Sequence, residues 1–141
     1  MGAAISQHFL MKGLKVCLVD LNEKSLERGK SLIAESLAEA VHRKVMSEED
    51  KNKDLLSLKT SVNLSFLSEC QMVVEAVFED FEVKKNLFLE LEKVLSDKVL
   101  LATNTSSYAV TDLAKYLKHP ERFLGVHYFY HAAKNKLVEV I

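Results

Sequence analysis

Cysteine is scarce in this chain, with Cys17 and Cys70 the only two among 141 residues. Two cysteines cannot build a disulfide framework, and a metal site needs more ligands than they supply. Each lies in or beside an apolar run and is expected as a buried free thiol of a reducing compartment, cytoplasm or mitochondrial matrix. An excess of basic charge is also missing. The net charge is -1, whereas a general nucleic-acid binder needs surplus Lys and Arg to displace counterions from phosphates, so small molecules and other proteins are the expected partners. Long hydrophobic runs are absent too. Residues 72–77 are interrupted by Glu75, far short of the roughly 20 apolar residues that span a bilayer. Proline occurs once, at Pro120, and no repeat, low-complexity stretch or linker divides the chain.

What is present is the composition of a globular protein, 48% hydrophobic and 28% charged, in a length that fits one domain and leaves no room for a second complete one. Ile5, Phe9 and Leu10 recur at helical spacing within residues 3–12, and Gly13 follows as a stop. Residues 15–20 (KVCLVD) form a compact β-rich run ending in a carboxylate, as a strand buried on both faces of a parallel sheet would. Asn22 then caps a helix predicted to reach about Val45, with Leu26, Leu32, Ile33, Leu37 and Val41 as its apolar stripe. Residues 47–50 (SEED) read as the cap of a second helix, so the pair is expected to project as a helical hairpin.

Residues 62–64 are a weak strand candidate and 72–77 a strong one. Residues 79–95 follow as an amphipathic helix with Val83, Leu87, Leu91 and Val94 on one face. Residues 99–102 are a further buried strand, leading into the polar loop Asn104-Thr105-Ser106-Ser107, of the kind that carries function. A helix is expected over 112–117, and strands over 123–127 and 137–141 close the chain. Strands alternating with helices predict a doubly wound α/β fold: a Rossmann-type, mostly parallel sheet with a helical-hairpin excursion.

The order Met1-Gly2, helix, strand ending in Asp20, helix matches the second half of a dinucleotide-binding βαβ unit. In the full unit a strand leads into Gly-x-Gly-x-x-Gly, whose backbone approaches the pyrophosphate at a helix N-terminus, and an acid about 20 positions on binds the ribose hydroxyls. Gly2 fits the third glycine and Asp20 the acid, so the domain is expected to be incomplete at its N-terminus, with the first strand missing. Each residue also has a plainer explanation, Gly2 as the remnant of a start site and Asp20 as a cap for the helix that follows.

Five separated stretches are more specific: Leu18-Val19-Asp20, residues 73–80 (VVEAVFED), 102–107 (ATNTSS), 120–123 (PERF) and 136–141 (KLVEVI). In this order they resemble the NAD-binding domain of the L-3-hydroxyacyl-CoA dehydrogenases of fatty-acid β-oxidation and butyrate metabolism, and the resemblance covers essentially the whole chain. It implies NAD as cofactor and an acyl-CoA substrate oxidised at its 3-hydroxyl. It also implies a C-terminal helical domain outside this sequence, in a parent protein that is a homodimer or part of a multifunctional β-oxidation protein. By the resemblance His127 takes the hydroxyl proton, Glu139 pairs with that histidine, and Ser106, also among the cofactor contacts, hydrogen-bonds the reacting oxygen. Asp20 falls on the adenosine ribose, Glu79 and Lys84 near the rest of the cofactor, and Ser36 and Arg43 at CoA, with Lys44 as a substitute for Arg43.

The proton chemistry can be argued beside the resemblance. A neutral imidazole near its pKa accepts a proton at physiological pH, and a carboxylate on its other nitrogen fixes the tautomer and stabilises the imidazolium. If residues 123–127 and 137–141 form a hairpin turning near Ala133, positions 127 and 139 fall opposite one another. Ser106 and His127 both end strands, beyond which ligands bind in open α/β sheets. A histidine at a strand end is also commonly a hydrogen-bonded structural residue, and Ser106-Ser107 after Asn104 equally suits a turn and cap.

The family's histidine is usually followed by Phe-Phe-Asn-Pro, whereas here Tyr128-Phe129-Tyr130-His131 follow. Tyr130 cannot offer the amide contacts of that asparagine, and His131 is expected as a loop residue. This departure leaves a second reading, a catalytically inactive relative that keeps the fold as a binding or structural module. A third, a dehydrogenase of sugar acids, would not need the long helical excursion at residues 36–56.

Overall fold

The computed structural model describes residues 1–141, which divide into two compact units: residues 1–63 with 131–134, and residues 64–130 with 135–141. The first unit runs α1 (Gly2–Leu10), β1 (Val16–Val19), α2 (Glu23–His42), α3 (Glu48–Leu56) and β2 (Leu58–Ser61). β1 and β2 pair in parallel, from Val16 opposite Leu58 to Val19 opposite Ser61. Two side-chain caps separate the helices of the expected hairpin. Asn22 accepts the Ser25 amide at 2.9 Å, and Ser47 accepts the Asp50 amide at 3.0 Å, each satisfying an amide that has no intrahelical partner.

α2 ends at His42, short of the expected Val45, because the chain closes a Schellman motif there. Lys44 takes φ +58°, its amide donates to Val41 O at 2.8 Å, and the Val45 amide donates to Ala40 O at 3.0 Å. The buried face of α2 is Leu26, Gly29, Ile33, Leu37 and Ala40, while Leu32, expected in the stripe, is exposed. Leu10, Val16, Ile33 and Leu37 form the core of this unit. Gly29 lets α2 close on β1, since a Cβ there would sit 3.1 Å from Leu18 Cδ2.

The strand expected at 62–64 is not formed. β2 lies just upstream, where Leu58 packs on the core, and Ser61 Oγ turns the chain by accepting the Asn63 amide at 3.0 Å. Pairing with β1, not local propensity, makes Leu58–Ser61 a strand.

The second unit opens with a 3-10 turn (Leu64–Leu67) and continues β3 (Met72–Glu75), α4 (Phe81–Val94), β4 (Leu100–Thr103), α5 (Val110–Ala114), β5 (Phe123–Tyr128) and β6 (Val138–Val140). The sheet order is β3-β4-β5-β6, parallel except for the antiparallel β5–β6 pair. β3 stops before Ala76 because the Glu75 carboxylate accepts the Val77 amide at 2.7 Å and bends the chain out of the ladder. α5 likewise starts and ends earlier than the helix expected over 112–117.

α4 buries Lys84, Phe88 and Leu91, which corrects the expected face, and Val83 is exposed instead. Arg122 of the P-E-R-F stretch is buried and donates to the carbonyls of Ser96 and of Val99, the latter at 3.2 Å. Its Nη2 lies 3.6 Å from Glu92, whose carboxylate also accepts the amides of Lys118 and His119. This motif therefore anchors the start of β5. Neither cysteine is in a disulfide, and both are half-buried rather than buried; no helix is long and apolar enough to cross a membrane.

Candidate active site

β5 and β6 pair with His127 opposite Glu139, so the two side chains share one face of the ribbon. The His127 Nδ1 lies 2.9 Å from Glu139 Oε2. With a proton on Nδ1 shared with the carboxylate, the neutral ring presents Nε2 as its acceptor. The Phe129 ring flanks the imidazole, with centroids 4.7 Å apart at 54°. His131 stays in the turn, where its Nδ1 accepts the Ala133 amide at 3.4 Å.

Ser106 is exposed in the loop after β4, the neighbour of β5 in the sheet. Ser106 and His127 therefore stand at the carboxyl ends of adjacent parallel strands. Thr105 shapes that loop: its hydroxyl accepts the amides of Ser107 at 3.2 Å and Tyr108 at 3.1 Å and donates to Glu79.

Below the loop is a buried charge network. Lys84 Nζ contacts Glu75 Oε1 at 2.7 Å and Glu79 Oε2 at 3.0 Å, and the Thr103 hydroxyl donates to Glu75 Oε2 at 2.7 Å. The Lys84 and Glu75 side chains are 1% and 0% exposed, while that of Glu79 is 39% exposed. Burial pushes the Glu79 carboxyl up, but hydrogen bonds from Thr105 and Lys84, the Lys84 charge and the Ser107 amide together hold it below the usual glutamate range. Of the two residues expected beside a cofactor, Glu79 is thus the one with open surface; the Lys84 ammonium is occupied by the two carboxylates.

The first unit holds the other candidates. Asp20 is exposed directly after β1, and its Oδ1 accepts the Leu21 amide at 2.7 Å. Asn22 caps α2, so Asp20 does not have that role. Gly2 opens α1, whose N-terminus has no side-chain cap, and the helical bonding begins with the Ile5 amide on Met1 O at 3.0 Å. The amides of the first turn are donors without helical acceptors, which suit a pyrophosphate, and the exposed Asp20 carboxylate suits ribose hydroxyls. These residues fit a dinucleotide. Ser36 is half-buried on α2 and Arg43 exposed at its C-cap, about two turns apart and on one side of the helix. Arg43 pairs with Glu39, which also lies 3.8 Å from Lys134.

All of residues 1–141 match the family model for "3-hydroxyacyl-CoA dehydrogenase, NAD binding domain". The chain belongs to the 3-hydroxyacyl-CoA dehydrogenase family. As an NAD-binding domain of that family it is 36% identical over 141 residues to the 3-hydroxybutyryl-CoA dehydrogenase of Bradyrhizobium diazoefficiens, covering 100% of this chain and 48% of that protein. It is 34% identical to the fatty acid oxidation complex subunit alpha of Idiomarina loihiensis, covering 100% of this chain and 20% of that protein. A solved structure of 3-hydroxybutyryl-CoA dehydrogenase from Escherichia coli K12 matches with a TM-score of 0.96 and 37% identity, over 99% of this chain and 30% of that one. The chain therefore spans half or less of the length of these relatives.

Within this 3-hydroxyacyl-CoA dehydrogenase domain, Glu75, Thr103 and Thr105 organise the site without having been singled out from the sequence. A signal for Glu75 was present: a carboxylate inside a buried strand requires a buried partner. Lys84, on the helix that follows, is that partner.

Proposed function

We propose that the full-length protein transfers hydride between NAD and the 3-hydroxyl carbon of an L-3-hydroxyacyl-CoA, as a homodimer or as part of a multifunctional β-oxidation polypeptide. The observation that carries this reading is the 2.9 Å contact of His127 Nδ1 with Glu139, placed at the strand end beside the Ser106 loop. When bound, the nicotinamide supplies the two-electron acceptor. His127 Nε2 takes the proton from the substrate hydroxyl, and Glu139 stabilises the resulting imidazolium. Ser106 hydrogen-bonds the reacting oxygen, holding its lone pairs and proton in line with the imidazole. The first-turn amides at Gly2 hold pyrophosphate, Asp20 the adenosine ribose, and Glu79, backed by Lys84, the remainder of the cofactor. Ser36 and Arg43 hold CoA. The names of the relatives, which act on 3-hydroxybutyryl-CoA or serve fatty-acid oxidation, support the substrate class.

In the full-length protein, His127→Ala should lower kcat for reduction of acetoacetyl-CoA by NADH by roughly 10²- to 10⁴-fold, and His131→Ala should leave it near the unsubstituted value. Steady-state assays following NADH absorbance test this. Equal losses in the two variants would remove His127 from the role of base.

A further inference from the structure

The ladder between β4 and β5 ends early. Its last register pair is Thr103 with Gly125, whereas β5 continues to Tyr128, so the segment bearing His127 has outrun its parallel neighbour. Alternate amides of a strand face opposite neighbours. The Gly125 amide donates to Ile141 O at 2.9 Å on the β6 side, which leaves the Tyr128 amide facing the β4 side with no strand opposite. Its acceptor there is a side chain, the Asn104 Oδ1, at 2.8 Å.

Asn104 is itself held. Its amide donates to Glu75 O at 2.9 Å, and the residues on either side are tied down, Thr103 to Glu75 at 2.7 Å and Thr105 to Glu79. Beyond Thr105 the loop carries Ser106. One amide oxygen thus connects the strand residue after His127 to the anchored start of the Ser106 loop.

We propose that Asn104 is a positioning residue: by accepting the Tyr128 amide it sets the separation and orientation of His127 relative to Ser106. The proposal rests on the roles assigned above to those two residues. It requires the oxygen of the Asn104 side chain and not its NH₂, so an aspartate can substitute where an alanine cannot. The effect belongs to the geometry of proton transfer, because Asn104 is bonded to the strand that carries His127 and opens the loop that carries Ser106.

The test uses the full-length protein with Asn104→Ala, Asn104→Asp and His127→Ala, assayed for acetoacetyl-CoA reduction by NADH and for NADH binding by fluorescence titration. A misplacement near 1 Å costs on the order of 100-fold, so Asn104→Ala should lose roughly 10- to 100-fold in kcat while its NADH dissociation constant and KM for NADH stay within about twofold. Asn104→Asp should retain kcat within about fivefold. An alanine variant with undiminished kcat, or one whose loss lies wholly in NADH affinity, overturns the proposal. So does an aspartate variant as impaired as alanine, and this variant decides alone if the alanine protein fails to fold. If His127→Ala itself turns over normally, the assignment of the base has failed; if it is inactive while Asn104→Ala is unimpaired, only the positioning role has.

Discussion

Lys84 has almost no access to water, and its charge is compatible with the interior only because Glu75 lies 2.7 Å and Glu79 3.0 Å away. Removing one partner of a buried pair leaves the other charge uncompensated, which costs more than the pair itself contributes. Lys84→Met should therefore destabilise the protein by about 3–5 kcal/mol in urea unfolding, and adding Glu75→Leu should recover most of that loss. An additive double variant would mean that the two charges are independent. The network was only half legible in the sequence. Lys84 was assigned to the cofactor by resemblance, and a periodicity that counts lysine as polar turned the apolar face of α4 towards Val83. The partner that draws the ammonium inward sits on a different element, β3, and no reading of α4 alone reveals it. His127 and Glu139 were easier, because hairpin arithmetic sets their register from sequence distance.

At the scale of elements, the caps were legible and the places where pairing decides were not. Asn22 and Ser47 start their helices as short polar side chains should. β2 was displaced because Leu58–Ser61 lacks strand character of its own and is recruited by β1. The end of α2 was missed for a different reason: a Schellman motif is recognised from glycine, and here its left-handed position is occupied by Lys44 at φ +58°. A side chain with a Cβ costs about 1–2 kcal/mol in that conformation. Lys44→Gly should thus stabilise the protein by about 1 kcal/mol after the greater chain entropy of unfolded glycine is offset, raising the thermal midpoint by about 3 °C. A lower midpoint would show that the lysine side chain makes a compensating interaction.

For the molecule as a whole, the alternation of strands and helices was enough to establish the α/β class. The assignment of residues to two separately compact units depends on tertiary contacts that no local pattern encodes. One contribution to its response to acid comes from Glu79, held below its ordinary 4.5. A depressed carboxyl favours the folded state above the unfolded pKa, and that contribution is lost as pH falls through the folded value. The stability difference between the unsubstituted protein and Glu79→Gln should accordingly be largest near neutral pH and shrink below about pH 4.5, as urea titrations at several pH values would show. A constant difference would mean that the carboxylate charge contributes nothing to the fold.

The exposed carboxylate of Asp20, steadied by the Leu21 amide at 2.7 Å, bears on selectivity between the two natural nicotinamide dinucleotides. Where it meets the adenosine ribose, as proposed, a 2′-phosphate would bring like charge against it. The protein should accordingly discriminate strongly against NADPH, and Asp20→Ser should narrow that preference by raising turnover with NADPH relative to NADH. One side chain at the tip of β1 would then decide which pool of reducing equivalents the enzyme draws on.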